Sequence, residues 1–374
     1  MPLELRSWIN PQPYTNSYST AGIAREASYF STAPEPVDVD ADHVVAESRE
    51  YEAAGYDASI IPASATWPDV AAVAGWALAA TERLTVVQAH RPGIQAPSAA
   101  ARALATLDRL SGGRTGIHLI LGHSDLARDG DHLGREERYA RAAEYLEVYT
   151  RTLTSVEPFD FEGEYYRVEG AFSGVRPLGT PRPVISTPGG SAEGIELGAR
   201  YADVLATHAG SLAEVAEWID GASARAAGHD RRLRYWVNAN FLVGETDEAA
   251  WAHARDLEQA VDVLQAHRAR TPGEPVESIR HERTARFGDV TDPVVDTCLH
   301  LGFVRRGGAL PTLVGSPSTV ADAVLAYYDL GVEIVTLGGL VTNPRDAELR
   351  AETLRLAHQG ALSRDLTHPQ KESR

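Results

Sequence analysis

One cysteine, Cys298, is all the chain carries. It can form no internal disulfide and no cysteine cluster for zinc or iron–sulfur. No apolar run reaches about 18 residues, so nothing reads as a membrane-spanning helix. The 13 histidines contain no His-x-His or His-Glu-x-x-His pattern, which argues against a metal-dependent barrel hydrolase. No glycine-rich turn follows the first strand, so an internal nicotinamide site is not indicated. Basic side chains are in deficit: 35 Lys and Arg face 52 Asp and Glu, a formal net charge of -17. That surface repels nucleic acid and anionic lipid, and neither is an expected partner. An anionic small molecule would need a local positive pocket. The start, Met1-Pro2-Leu3-Glu4-Leu5-Arg6, is too polar for a signal peptide, and the cytoplasm is the expected location.

What is present is a regular alternation. The 374 residues are 43% hydrophobic, enough for one large core, and a single barrel domain with insertions reaches this length. Short apolar runs predict strands at 3–9, 58–62, 84–88, 115–121, 183–186, 204–207, 233–243 and 333–337. Amphipathic stretches between them predict helices near 42–54, 68–81, 97–110, 135–154, 191–201, 211–227, 246–267, 317–330 and 344–361. Proline at the first helical position (Pro317, Pro344) and glycine just past helix ends (Gly55, Gly228, Gly331) agree. Eight strands alternating with helices imply an α/β fold, a (β/α)8 TIM barrel; a doubly wound open sheet is the competing architecture. Two insertions, about 11–41 and 268–312, break the period. Both can reach the C-terminal face, where barrel chemistry occurs. A disordered or oligomer-contact loop is the plainer reading of each. A hairpin is expected at 159–168.

The stretch Ala100-Ala101-Arg102-Ala103-Leu104-Ala105-Thr106-Leu107-Asp108-Arg109-Leu110-Ser111-Gly112-Gly113-Arg114 resembles the helix and turn before strand 4 in bacterial-luciferase-like flavin monooxygenases. In it Asp108 and Arg109 can pair across the turn, and Gly112-Gly113 makes the reversal. Further islands keep the order of that family, closest to its alkanesulfonate monooxygenase branch: Tyr56–Pro62, Gly122-His123-Ser124, Glu137-Arg138-Tyr139, Gly189-Gly190-Ser191, Glu245–Ala249 and Val304–Ala309. The resemblance implies FMN as cofactor, supplied as FMNH2 by a separate NAD(P)H:FMN reductase, with O2 as co-substrate. It also implies a homo-oligomer, dimer or tetramer.

Candidate site residues follow. Gly189, Gly190 and Ser191 sit where a strand gives way to a helix. Free N–H groups and the helix dipole favour phosphate there, although a simple turn uses the same residues. With the resemblance they match the FMN phosphate site, and Arg138 and Tyr139 match a flavin-contacting pair. Arg138 can instead pair with Glu137 or Glu144. His90 and Arg91 end strand 3 and are placed at the mouth, Arg91 facing flavin or substrate charge or else a surface partner. His118, within strand 4, can bond the isoalloxazine edge or be a satisfied core histidine. His123, Arg135 and His208 are weaker candidates. Arg305 and Arg306, beside Gly307-Gly308, suggest a lid that closes on an anion and excludes water.

The sequence departs from the sulfonate enzymes. Asn238 and Asn240 stand where those enzymes carry Arg and His, Trp67 replaces a cysteine and Leu340 a tyrosine. Asparagine orients a ligand but carries no proton. The pocket is expected to be more aromatic, with Trp8, Trp67, Tyr14 and Tyr18 available and His208 nearby. The expected function is a two-component FMNH2-dependent monooxygenase acting on a small organic substrate, an organosulfur compound or alkanesulfonate with C–S cleavage among the candidates. The alternatives are an F420-dependent oxidoreductase of the same fold and a non-catalytic flavin-binding barrel.

Overall fold

The computed structural model describes residues 2–10, 23, 26–27, 39–65, 67–122, 126–179, 181–268, 293–306, 310–339 and 344–367. Most of insertion 11–41, residues 269–292 and the Gly307–Ala309 segment therefore lie outside the described residues, as do Tyr14, Tyr18, His123 and Leu340.

In chain order the elements are β1 (Glu4–Trp8), α1 (Ala41–Ala54), β2 (Ala58–Ile61), α2 (Val70–Ala80), β3 (Thr85–His90), α3 (Pro97–Ser111), β4 (Thr115–Leu119), α4 (Arg135–Thr154), β5 (Phe159–Glu162), β6 (Arg167–Ala171), β7 (Val184–Pro188) and α5 (Ala192–Tyr201). Then come β8 (Val204–His208), α6 (Leu212–Ala227), β9 (Arg234–Val243), α7 (Asp247–Arg268), β10 (Val294–Val295), β11 (Leu299–His300), α8 (Gly302–Arg305), β12 (Thr312–Gly315), α9 (Pro317–Asp329), β13 (Val332–Gly338) and α10 (Pro344–Thr367).

Eight parallel strands close a barrel in the order β1-β2-β3-β4-β7-β8-β9-β13. The eight strands expected from the sequence are these eight. Closure comes from β9, which pairs with β8 through His208↔Asn238 on one edge and with β13 through Asn238↔Thr336 on the other. β5 and β6 form the expected hairpin, antiparallel and outside the barrel. β12 is not among the strands expected from the sequence. It joins β9 in parallel beyond the end of β8, Thr312↔Asn240 to Gly315↔Val243, and raises the wall on that side. The antiparallel β10 and β11 extend it.

Side chains alternate across each strand. Leu5, Ile61, Val86, Val237, Phe241 and Val335 join the cluster packed under the helices. Ile60, Val87, Val204, Ala206, Trp236 and Ile334, with Trp8, form a separate cluster inside the barrel. At Gly112 and Gly113 two successive positive φ values, 73° and 88°, make the reversal into β4. Asp108 does not pair with Arg109 across that turn. It is buried, and its Oδ2 accepts the N–H groups of Leu178 and Gly179, tying the segment before β7 to α3.

The N-terminal end of the barrel is closed by charge pairs among the first residues of three strands. Glu4 pairs with Arg6 at 2.7 Å and with Arg234 at 3.1 Å, and Arg234 with Glu333 at 2.7 Å. Arg6 also lies over the Trp236 ring, 4.3 Å from its centroid. Burial raises the Glu4 carboxyl, but Arg6 and Arg234 outweigh it and hold the pKa below the ordinary value. A carboxyl depressed in the folded state stabilises above its unfolded pKa, and that stabilisation is lost as pH falls through the folded value. Glu4→Gln should therefore cost about 3 kcal/mol in urea unfolding at neutral pH. The deficit relative to wild type should shrink in acid.

Candidate active site at the barrel mouth

The strand ends carry an unusual density of polar side chains. On β4, His118 points inward and lies edge-on to Trp236, ring centroids 4.9 Å apart. Its Nδ1 is 3.0 Å from Ser186 Oγ on β7. Ser186 Oγ donates its own proton to the Ile117 carbonyl at 2.9 Å. The hydroxyl must then accept from the imidazole, which fixes the Nδ1–H tautomer and leaves Nε2 as an acceptor. Burial, with Arg6 adding to it, lowers the His118 pKa to about 3. At neutral pH this histidine is uncharged, an acceptor of hydrogen bonds and not an acid. Trp236 Nε1 is engaged by Thr336 Oγ1 at 2.7 Å.

Further buried polar atoms in the barrel have no hydrogen-bond partner among the described residues; Arg6 Nη1 is one, and two lie nearer the mouth. Trp8 Nε1, a donor on β1, and Asn238 Oδ1, an acceptor on β9, are both buried and unpaired. The Asn238 amide is fixed by its Nδ2 donating to the Thr207 carbonyl at 3.1 Å. Buried polar atoms are costly to leave unsatisfied. A planar heterocycle with alternating N–H, N and C=O groups at its rim could satisfy both, and the His118 acceptor as well. In this respect the donor set fits an isoalloxazine edge. Asn240 is buried one inward position above Asn238, its N–H held by the Pro311 carbonyl at 2.9 Å. His208 is half-buried at the end of β8, level with Asn238. Trp67 is half-buried in the loop after β2, its N–H bonded to the Ser64 carbonyl.

The second part of the site is the turn from β7 into α5. Ser191 is the N-cap of α5 and accepts the Gly194 N–H at 3.2 Å. Tyr139 of α4 brings its hydroxyl to 3.4 Å from Ser191 Oγ. Gly189 has a different role from the one expected. Its N–H donates to the Ala206 carbonyl at 2.7 Å and its carbonyl accepts from Trp218 Nε1 at 2.8 Å, so neither group is open to a ligand. A Cβ here would lie 2.5 Å from Leu205 Cγ, which makes the glycine a packing requirement. Gly190 is exposed. The cation at this turn is Arg135, 3.1 Å from Glu193 in the first turn of α5. The sequence did not single out Glu193. Its own N–H, then the Ser191 hydroxyl, with help from Arg135, hold its carboxyl below the ordinary value. The chain's own carboxylate thus occupies the helix end that favours an anion.

Several sequence-stated candidates sit elsewhere. His90 faces away from the barrel interior, because strand parity puts Val87 and Ala89 inside. Its Nε2 meets Tyr145 OH of α4 at 2.6 Å, its ring packs on Tyr145 and Tyr149, and burial lowers its pKa to about 4. Arg91 is buried and ion-paired to Asp129, 2.7 Å away in a short 3-10 helix after β4. Arg138 pairs with neither Glu137 nor Glu144. It donates to the carbonyls of Leu121 and Leu133 and so clamps the loop between β4 and α4. Arg306 is tied to Glu258 and Asp262 of α7, and Arg305 is half-buried beside it on α8. The proposed arginine lid is therefore anchored to α7 on its described side. No group of three metal-ligating side chains occurs among the described residues. From the Gly189 contact, Gly189→Ala should lower stability by about 1–3 kcal/mol through overpacking against Leu205, read by chemical denaturation.

Comparison with known proteins places this geometry. A family model described as luciferase-like monooxygenase matches residues 23–333. The chain is similar in structure to EDTA monooxygenase from Chelativorans sp. BNC1, at 18% identity and a TM-score of 0.71, over 97% of this chain and 94% of that one. It is also similar to a long-chain alkane monooxygenase, at 16% identity and 0.72, over 97% and 92%. A riboflavin lyase solved with modified FMN and riboflavin matches at 18% and 0.71, over 97% and 92%. With the family match spanning most of the sequence and a closed eight-stranded barrel beneath it, the chain belongs to the luciferase-like monooxygenase family.

Proposed function

We propose that the chain is the oxygenase of a two-component system. It binds FMNH2 delivered by a separate NAD(P)H:FMN reductase and uses O2 to oxygenate a small organic substrate, organosulfur compounds among them. The observation that carries this reading is the pair of buried, unpartnered atoms, Trp8 Nε1 and Asn238 Oδ1, in a barrel whose His118 is held neutral as an acceptor.

Bound reduced FMN supplies the oxygen-activating chemistry, and the protein supplies binding, orientation and exclusion of water. Trp8, His118 and Asn238 would hold the ring edge. Ser191, Tyr139, Arg135 and the first turn of α5 would hold the phosphate. Arg135 would be the local cation for that anion once released from Glu193, whose carboxylate stands at the same helix end. His118 cannot deliver a proton at neutral pH, and Asn238 and Asn240 carry none. Their role is to orient the ligand. The apolar wall, Ile60 and Ala206 with the half-buried Trp8, suits an organic substrate better than a strongly charged one.

The decisive experiment is an anaerobic titration with FMNH2, followed by turnover under labelled O2 against sulfonates, thioethers and amines. Label in an organic product supports the reading. Reconstitution by F420 but not FMN redirects it to hydride transfer. Binding of FMN without any substrate-dependent O2 uptake makes the barrel a flavin binder only. Arg135→Ala should weaken FMN binding by about tenfold and leave riboflavin binding unchanged, by fluorescence titration.

A further inference from the structure

A second concave site lies outside the barrel. The N-terminus of α6, the inner face of α9 and the β10–β11–β12 ribbon line an open cavity of about 160 Å3. It is smaller than the pockets that hold drug-sized ligands and admits only a small molecule. Leu299 and Leu313 are buried in its wall, and Leu212 and Ala323 add apolar surface. The ring of Tyr327 also lines it, with the hydroxyl already donated to the Gly210 carbonyl at 2.6 Å. Cys298 is buried in the wall.

The rim is different. Asp296 and Asp322, both exposed, line the cavity, and no Lys, Arg or His lines it among the described residues. Asp296 is held in place, since its Oδ2 accepts the Leu212 N–H at 2.9 Å and its backbone takes a φ of 52°. Asp322 stands on the outer turn of α9 with no salt-bridge partner among the described residues. Apolar walls below two carboxylates without a counter-cation select one kind of ligand. The walls favour hydrocarbon and the rim favours positive charge.

We propose that this cavity binds a small organic cation with an apolar body, of the alkylammonium class. The ammonium lies between Asp296 and Asp322, and the hydrocarbon lies against Leu299 and Leu313. The site is separate from the barrel mouth and shares no lining residue with it. It touches the mouth through one strand: Leu313 is on β12, whose neighbour Thr312 pairs with Asn240. An occupied cavity braces the raised wall beside that asparagine.

Calorimetric titration of the full chain with n-hexylammonium, n-hexanol and n-hexanoate tests the assignment. Saturable one-to-one binding is expected for hexylammonium, about tenfold tighter than for hexanol, with hexanoate excluded. Asp322→Asn, an exposed change that leaves packing intact, and Asp296→Asn, which keeps an acceptor for the Leu212 N–H, should each remove most of that preference. Ala326→Phe, which fills the cavity, should abolish binding of both, provided its circular dichroism matches wild type. Cys298 is the chain's only thiol, so slower reaction with an uncharged thiol reagent in the presence of hexylammonium would locate the ligand. Absence of hexylammonium binding overturns the proposal. So does binding that survives both Asp→Asn changes, because the preference would then belong to the overall charge of -17. None of these readouts depends on flavin.

Discussion

The backbone hydrogen bonding of β9 is the constraint on which the rest depends. All ten of its residues are paired, to β8 and then β12 along one edge and, for Tyr235–Asn240, to β13 along the other. A strand so committed cannot slip by one residue without turning every side chain to the other face. Its register therefore fixes Trp236 in the interior, Asn238 at the mouth and Asn240 above it, while Val237, Ala239 and Phe241 face the helices. The same alternation sends His118 inward and His90 outward. Which polar groups can meet a ligand is settled by strand parity before any question of chemistry arises.

Electrostatics then act on a prepared set. At the foot of the barrel charge is matched by charge, in the Glu4, Arg6, Arg234 and Glu333 network. Nearer the mouth the groups are polar but neutral, and His118 is kept so by burial. A low-dielectric pocket lined with fixed, uncharged dipoles suits a cofactor that does the difficult chemistry itself. The local positive charge lies at the edge, on Arg135 beside the end of α5, where Glu193 pairs with it. There it remains partly solvated and does not raise the cost of the interior.

Much of this was legible in the sequence because period and punctuation agreed. The eight barrel strands are short apolar runs bounded by turn residues, and several helices carry proline or glycine at an end, as at Pro97, Gly112, Pro317 and Gly55. β12 escaped notice because Thr312–Gly315 is four residues long and follows a polar, glycine-rich stretch. The side-chain roles were harder to read. His90 and Arg91 look equivalent as neighbours at a strand end, yet parity gives them opposite faces. Arg306 resembles a lid residue until Glu258 and Asp262, more than 40 positions earlier, are brought beside it. Gly189 resembles a phosphate-approach glycine until Leu205 fills the space a Cβ would need. In each instance the deciding partner is remote in sequence, and composition or spacing cannot reveal it. Glu193 is the converse: only its proximity to Arg135 and Ser191 distinguishes it from any other acidic residue near a helix start.

The charge network at the foot of the barrel also governs traffic. With Glu4, Arg234 and Glu333 locked across that end, and Trp236 and Ile334 fully buried above them, the described residues leave no passage through the floor for a molecule the size of a cofactor or substrate. Any guest of that size would come and go at the opposite end, where the strands finish.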